Sequence, residues 1–169
     1  MKTKKSAAKK SKQRNAQNDP FAVFKRSTDA AFGFLHDYDF EKVSTSIHPP
    51  ECEIKYQNDT TGVAITYEWG GVVWVHLSRL TRNGAEAVKE ERYALDLLML
   101  ECLPNLDINR LQPSEDETPD AYVERVLGEY ATILKECGEA ILNGDFRVFP
   151  KLKKHAAEVL RQRNKEMFG

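Results

Sequence analysis

The sequence lacks the motifs that identify the commonest enzyme classes. It contains no glycine-rich phosphate loop, no Gly-x-Ser-x-Gly nucleophile elbow and no His-Glu-x-x-His zinc motif. It also lacks any apolar run close to the roughly 20 residues that a membrane-spanning helix needs. The lysine-rich start is followed by Ala-Gln-Asn-Asp-Pro at 16–20, which does not form the apolar core of a signal peptide. We therefore expect a cytoplasmic protein with neither a cofactor nor a membrane-spanning segment.

Cysteine is scarce, with one residue each at Cys52, Cys102 and Cys137. An odd number of widely spaced cysteines does not suit a disulfide framework, so we expect reduced and mostly buried thiols. Residues 1–18 hold too few apolar side chains to offset the entropy of ordering, and we predict a disordered basic tail there. The remaining 19–169 are enough for a single α+β globular domain with a proper core.

The charge is divided into three blocks. The first fourteen residues carry seven positive charges and no acid, residues 15–146 have a net charge of −13, and residues 147–169 have a net charge of +5. The total is −1, so a nearly neutral sum hides two basic ends around an acidic middle. Such asymmetry bears on binding partners more than on the fold.

The basic tail is a candidate nucleic-acid contact. Cations on an unstructured segment neutralise phosphates without regard to base sequence, and the basic last helix could extend the same surface. The tail has no aromatic residue on which a base could stack. The alternative is that these charges are only solvated. The candidate residues are Lys4, Lys5, Lys9, Lys10, Lys12 and Arg14.

Two positions in the domain carry the signal for the start of a helix. Asp19-Pro20 and Thr118-Pro119 each read as an N-cap followed by proline in the first turn. They predict helices over about 20–36 and over about 119–142. A buried helix is expected at 93–103 and a basic one at about 150–167, while 83–92 reads as a loop or a frayed helix start. The last helix is expected to bury Leu152, Ala156, Val159, Leu160 and Met167.

Four strands are expected at 40–46, 53–57, 62–69 and 72–80. A three-residue loop of Trp69, Gly70 and Gly71, with Gly71 left-handed, pairs Glu68 with Val72. This register collects the apolar residues of both strands on one face, whereas a two-residue loop mixes the two faces. The predicted fold class is therefore α+β, an antiparallel meander of about four strands covered on one face by helices.

The same register places Trp74 and His76 on the face away from the core, where an exposed tryptophan is a candidate anchor for a protein partner. The alternative is that a helix or a second copy covers that face. A second candidate surface is acidic and includes residues 86–91 and 115–120, with Glu115, Asp116 and Glu117 as its centre. It would attract a basic protein.

Two further patterns are weaker candidates for a site. His48-Pro-Pro-Glu51-Cys52 has metal-like spacing but lacks a companion ligand pair, so a connecting loop is the simpler interpretation. His36 and Asp37 could form a general base with its orienting carboxylate. A histidine near the end of a helix is favourable without catalysis, which explains the pair more simply.

Three segments resemble a known group of proteins. They are residues 32–40, the glycine-turned hairpin at 63–80, and residues 130–146, which end in Ile-Leu-Asn-Gly-Asp-Phe. Together they resemble small bacterial α+β proteins of the immunity type. The resemblance implies a non-enzymatic protein that binds and neutralises a toxin, and it supplies no site residues.

Three functions compete on these observations. The first is a binding protein, such as an immunity-like inhibitor, whose acidic middle docks a basic toxin or nuclease. The alternative is an accessory nucleic-acid- or ribosome-binding protein that uses its tail. A small enzyme using His36 or His76 ranks last, because neither histidine has a complete set of partners in the sequence.

Overall fold

The computed structural model describes residues 19–83 and 86–168, with the backbone alone at 82, 83, 86–90 and 168. The predicted tail at 1–18 lies outside this range. The elements are helix α1 (Ala22–Ala31), a 3-10 turn (Gly33–Tyr38), strands β1 (Glu41–His48), β2 (Glu51–Gln57), β3 (Thr61–Glu68), β4 (Val72–Asn83) and β5 (Glu86–Ala94), helix α2 (Leu95–Cys102), a second 3-10 turn (Ile108–Leu111), and helices α3 (Pro119–Cys137), α4 (Glu139–Leu142) and α5 (Phe149–Phe168).

The strands form one antiparallel meander in the order β1-β2-β3-β4-β5. The α+β class is therefore confirmed, with five strands where about four were expected. None of the described helices is long and apolar enough to cross a bilayer.

The predicted register of the central hairpin is confirmed. Glu68 pairs with Val72, and the backbone N–H of Gly71 donates to the carbonyl of Glu68 over 3.1 Å. Gly70 and Gly71 have φ angles of 128° and 99°, which glycine adopts without the penalty that a Cβ imposes. As a result, the apolar side chains of β3 and β4 share one face of the sheet.

Strand β5 corrects the prediction of a loop or frayed helix at 83–92. Its residues pair with β4 from His76–Ala94 to Asn83–Glu86, and α2 consequently begins at Leu95 rather than at 93. β5 is an edge strand, and edge strands commonly carry charged residues that discourage pairing with other chains. That polarity removes the alternation by which a half-buried strand is recognised in a sequence.

Several other elements differ from the predictions in their ends or in their burial. β1 and β2 extend toward each other and meet around a cis Pro49–Pro50 peptide. The predicted helix over 119–142 is divided at Gly138 into α3 and α4. In α5, Leu152 is buried as expected, but Val159, Leu160 and Met167 are exposed because the second half of the helix extends beyond the rest of the protein.

The core lies between one face of the sheet and the helices. Val63, Ile65, Val73 and Val75 are all buried there, as predicted. α1 packs on α3, and the ring of Phe24 stacks on Tyr67 with 5.5 Å between centroids. The opposite face is called the open face below. Its side chains include His48, Glu53, Thr66, Trp74, His76 and Arg92, which line a polar cavity.

The three cysteines are free. Cys52 is buried, Cys137 is half-buried and Cys102 is exposed, so burial is less complete than expected. Cys102 and Cys137 end α2 and α3 and lie side by side, although they are far apart in the sequence. Burial, followed by the neighbouring Cys102 thiol, raises the pKa of Cys137 to about 12.

The turn between β2 and β3 is fastened to α4. The hydroxyl of Thr61 donates to the carbonyl of Ile141 over 2.9 Å, and the side-chain amide of Asn58 donates to the carbonyl of Leu142 over 3.2 Å. Gly144 follows with a φ of 82°, and a Cβ there would lie 2.9 Å from Oγ1 of Thr60. The Leu-Asn-Gly-Asp-Phe segment therefore closes the helical layer onto the sheet.

Candidate functional site

Trp74 lies between two concavities, one apolar and one polar. The apolar one, called the groove below, has a volume of about 390 Å³ and is bordered by the Gly70–Gly71 turn, α2 and the 3-10 turn Ile108–Leu111. The polar one occupies the open face and has a volume of about 300 Å³. Trp74 is 41% exposed and contributes to both. The prediction that it faces away from the core is confirmed.

The polar cavity follows from the order of residues across the strands. Lys55, Ala64 and His76 lie opposite one another on β2, β3 and β4, and Glu53, Thr66 and Trp74 form the adjacent row. The cavity lies over the second of these rows and is also lined by His76 and Arg92. The structure thus brings the two predicted residues, Trp74 and His76, into one cavity.

Glu53 is ion-paired with two basic side chains at this cavity. The carboxylate of Glu53 lies 3.2 Å from Nζ of Lys55 and 3.5 Å from Nη2 of Arg92. Nη2 of Arg92 also lies 3.1 Å from Nδ1 of His76. Since a guanidinium only donates hydrogen bonds, Nδ1 accepts this one, and the neutral ring carries its proton on Nε2.

Burial, followed by the Arg92 charge, lowers the pKa of His76 to about 4 in spite of Glu53. At neutral pH the ring is therefore uncharged and offers a hydrogen-bond donor at Nε2. A general acid or base works best when its pKa is near the operating pH, and His76 does not meet that condition. The polar cavity suits recognition better than proton transfer.

The groove is lined by apolar side chains that remain exposed. Val72, Trp74, Leu100 and Ile108 border it and are 40%, 41%, 48% and 56% exposed. A cluster of exposed apolar residues around a concavity is typical of an interaction site. Leu100 and Ile108 were not predicted, because nothing in a single sequence separates them from the buried residues of the same helix and turn.

Asp96 is the charged residue among the described side chains that line the groove. The hydroxyl of Tyr130 donates to Oδ1 of Asp96 over 3.1 Å. Burial raises the pKa of Asp96, and the hydrogen bond from Tyr130 opposes that rise. The groove therefore joins an apolar wall to one half-buried carboxyl group.

The acidic loop at Glu115, Asp116 and Glu117 continues from Gln112 and Pro113, which line the groove. Glu115 and Asp116 are exposed, in keeping with a docking role. Glu117 differs, because Nε and Nη2 of Arg125 donate to its two carboxylate oxygens over 2.8 and 2.7 Å. This bidentate pair holds the loop, so the three acids do not form one equivalent set.

The two weaker candidates do not form sites. Along β1 and β2, His48 pairs with Glu51 on the open face while Cys52 is buried on the core side, so the sheet separates them. Across the described ranges, 19–83 and 86–168, no group of His, Cys, Asp or Glu could hold a metal ion. Nδ1 of His36 donates to the carbonyl of Phe40 over 3.0 Å, which fixes the turn that leads into β1.

The six cations predicted to contact nucleic acid, at positions 4–14, lie outside the described residues. Comparisons with known proteins add no function: no family model matches the sequence, and neither curated proteins nor solved structures give a match. The resemblance to immunity-type proteins stays a prediction. The two cavities that share Trp74 are therefore the candidate functional site.

Proposed function

We propose that this chain is a non-enzymatic binding protein that docks a basic protein partner at the groove. The single observation that supports this most is the cluster of exposed apolar residues, Val72, Trp74, Leu100 and Ile108, around one concavity. Partly exposed tryptophan is common among the residues that contribute most to protein–protein affinity. A cytoplasmic location and a toxin or nuclease as the partner belong to the same proposal, the latter from the immunity-type resemblance.

The charge of the domain supports a basic partner. Residues 15–146 have a net charge of −13, and the exposed Glu115 and Asp116 lie on the loop beside the groove. A negative field around an apolar contact accelerates the approach of a positively charged protein. The affinity itself would come from the apolar contact.

The hydrogen bonds of His36 and His76, the two candidate bases, favour recognition over catalysis. His36 is engaged with the carbonyl of Phe40, and Nδ1 of His76 is engaged with Arg92. Each ring is held by a hydrogen bond that uses one of its two nitrogens. Neither is paired with a hydroxyl or thiol nucleophile in the described part of the chain.

A displayed library of random peptides, half of them rich in Lys and Arg, tests this function with purified full-length protein. We expect the selected peptides to combine cations with an apolar residue, and to lose at least about tenfold in affinity against Trp74→Ser or Ile108→Ser. The matched control is Val43→Ser, since Val43 is 50% exposed on β1 and does not line the groove. Selected peptides that bind all three variants equally would place the site elsewhere.

Nucleic-acid binding is a second candidate, and one observation on α5 favours it. Lys154, Arg161 and Lys165 are exposed, and their spacing of seven and four residues places them on one side of the helix. A row of cations on an extended helix can follow a phosphate backbone. This surface is separate from the groove, so the two functions can be tested independently.

A further inference from the structure

We propose that the groove binds a lysine side chain of the partner, with its ammonium group at Asp96 and its aliphatic stem along Val72 and Trp74. The inference rests on the proposed function and specifies which group of a basic partner enters the site. It follows from the charge, the walls and the size of the groove.

The charge of the Asp96 carboxylate favours binding of a cation. Oδ1 of Asp96 accepts one hydrogen bond, from Tyr130, and no described cation lies within ion-pair distance of the carboxylate. Burial without a counter-ion raises the pKa of Asp96, because the charged form loses hydration that the hydrogen bond from Tyr130 replaces only in part. A cation entering the groove would supply the missing partner and recover part of that loss.

The apolar walls of the groove suit the stem of a lysine side chain. A lysine stem has four methylene groups that pack well against apolar surfaces while the ammonium group reaches a polar one. Val72, Trp74 and Leu100 line the same groove as Asp96 and provide such a surface. Tyr130 already uses one lone pair of Oδ1, which leaves fewer acceptor positions for the two-pronged contact of a guanidinium, whereas a compact ammonium needs only one.

The size of the groove and the acidic loop beside it suit a lysine within a longer basic segment. The volume of about 390 Å³ exceeds that of one lysine side chain and leaves room for the neighbouring residues of a bound segment. Glu115 and Asp116, on the loop that continues from the groove, are exposed and can face further cations of the same segment. The site therefore fits a lysine within a basic stretch better than an isolated amine.

The probe for this inference is hexylammonium, with hexan-1-ol as its uncharged counterpart, titrated into isotopically labelled full-length protein at pH 7 and low salt. We expect hexylammonium to shift the amide signals of Val72, Val73 and Met99, and to bind about tenfold more tightly than the alcohol. Asp96→Asn should remove that difference and leave hexanol binding unchanged. Tyr130→Phe should retain the preference for the amine, since it frees a carboxylate oxygen.

Equal binding of amine and alcohol to the natural protein overturns the inference, as does an amine preference that survives Asp96→Asn. A preference that appears only after deletion of residues 1–18 also overturns it, because the protein's own basic tail would then be the occupant. These outcomes are distinct from failure of the proposed function. If Trp74→Ser still abolishes binding of the selected peptides, the groove remains the docking site and only the role of Asp96 is rejected.

Discussion

Arg92 and His76 form a hydrogen bond of 3.1 Å across the edge of the sheet, between β5 and β4. The contact joins a permanent cation to a ring that could itself become charged. It therefore opposes protonation of His76, in addition to the larger effect of burial.

The first prediction concerns the titration of His76. Its ring signals in NMR should show that the pKa is about 4 rather than the usual 6.5. The unfolded chain then binds a proton between those two values that the folded protein does not bind. The contribution of His76 to stability is complete above about pH 6.5 and declines as the pH falls toward about 4.

Arg92→Gln tests the cause of this shift. Removal of the guanidinium should raise the midpoint of His76 and reduce the dependence of stability on pH within that window. Arg79→Gln is the matched control, because the Arg79 guanidinium lies over the Phe146 ring instead. A midpoint that is the same in all three proteins contradicts the proposed electrostatic role of Arg92.

The second prediction concerns the register of the central hairpin. Ile65→Asp should lower the free energy of unfolding by at least about 3 kcal/mol, because it places an unpaired charge in the core. Thr66→Asp is the control on the adjacent position, which faces the open side, and its effect should be much smaller. Urea denaturation measures both, and equal losses would indicate that the two faces are not as assigned.

The third prediction separates Glu117 from its acidic neighbours. Glu117→Gln should lower the thermal midpoint, because Arg125 loses its bidentate partner, whereas Glu115→Gln and Asp116→Asn should leave the midpoint within error. Three indistinguishable melting curves would show that the Arg125–Glu117 pair contributes no more than an ordinary exposed charge.

The fourth prediction concerns association rates. Glu115→Lys with Asp116→Lys should slow the binding of a basic partner peptide mainly through the on-rate, and added salt should have a similar effect on the natural protein. Glu117 is left intact so that the loop keeps its conformation. Surface plasmon resonance at several salt concentrations measures this, and an on-rate insensitive to both changes would reduce the loop to solvated surface.

The fifth prediction tests the nucleic-acid alternative. Affinity for generic DNA or RNA should fall steeply with salt, and deletion of residues 1–14 should abolish it if the tail is the contact. Replacing Lys154, Arg161 and Lys165 with alanine tests α5 separately, and each lost phosphate contact should reduce the salt slope by about 0.9 on duplex DNA. Deleting the tail should leave the melting temperature nearly unchanged. Binding that survives both changes would come from another surface.

The fold class and the hairpin register were predictable because they depend on local and alternating patterns. Gly70-Gly71 and the apolar residues on either side restrict the register almost completely. β5 was not predictable by the same means, since an edge strand with charged residues lacks that alternation. Val159 and Leu160 were misplaced because helical spacing shows which residues share a side, but not whether anything packs on it.

The candidate site was predicted in part. Trp74 and His76 follow from the register, and both line the polar cavity as a result. Asp96 and Ile108 join the groove through contacts between elements that are distant in the sequence, as do the Arg125–Glu117 and Tyr130–Asp96 pairs. Such contacts depend on how helices pack, and a single sequence contains no direct signal of them.

The hydrogen bond from Thr61 to the carbonyl of Ile141 also has a consequence for biosynthesis. All five strands are complete by residue 94, but the acceptor for Thr61 is made 80 residues after its donor. As the chain leaves the ribosome, the sheet therefore precedes α3, α4 and the start of α5, which cover its apolar face. Until those helices emerge, only α1 and α2 can cover that face, and this interval is when the protein is most open to aggregation or to capture by a chaperone.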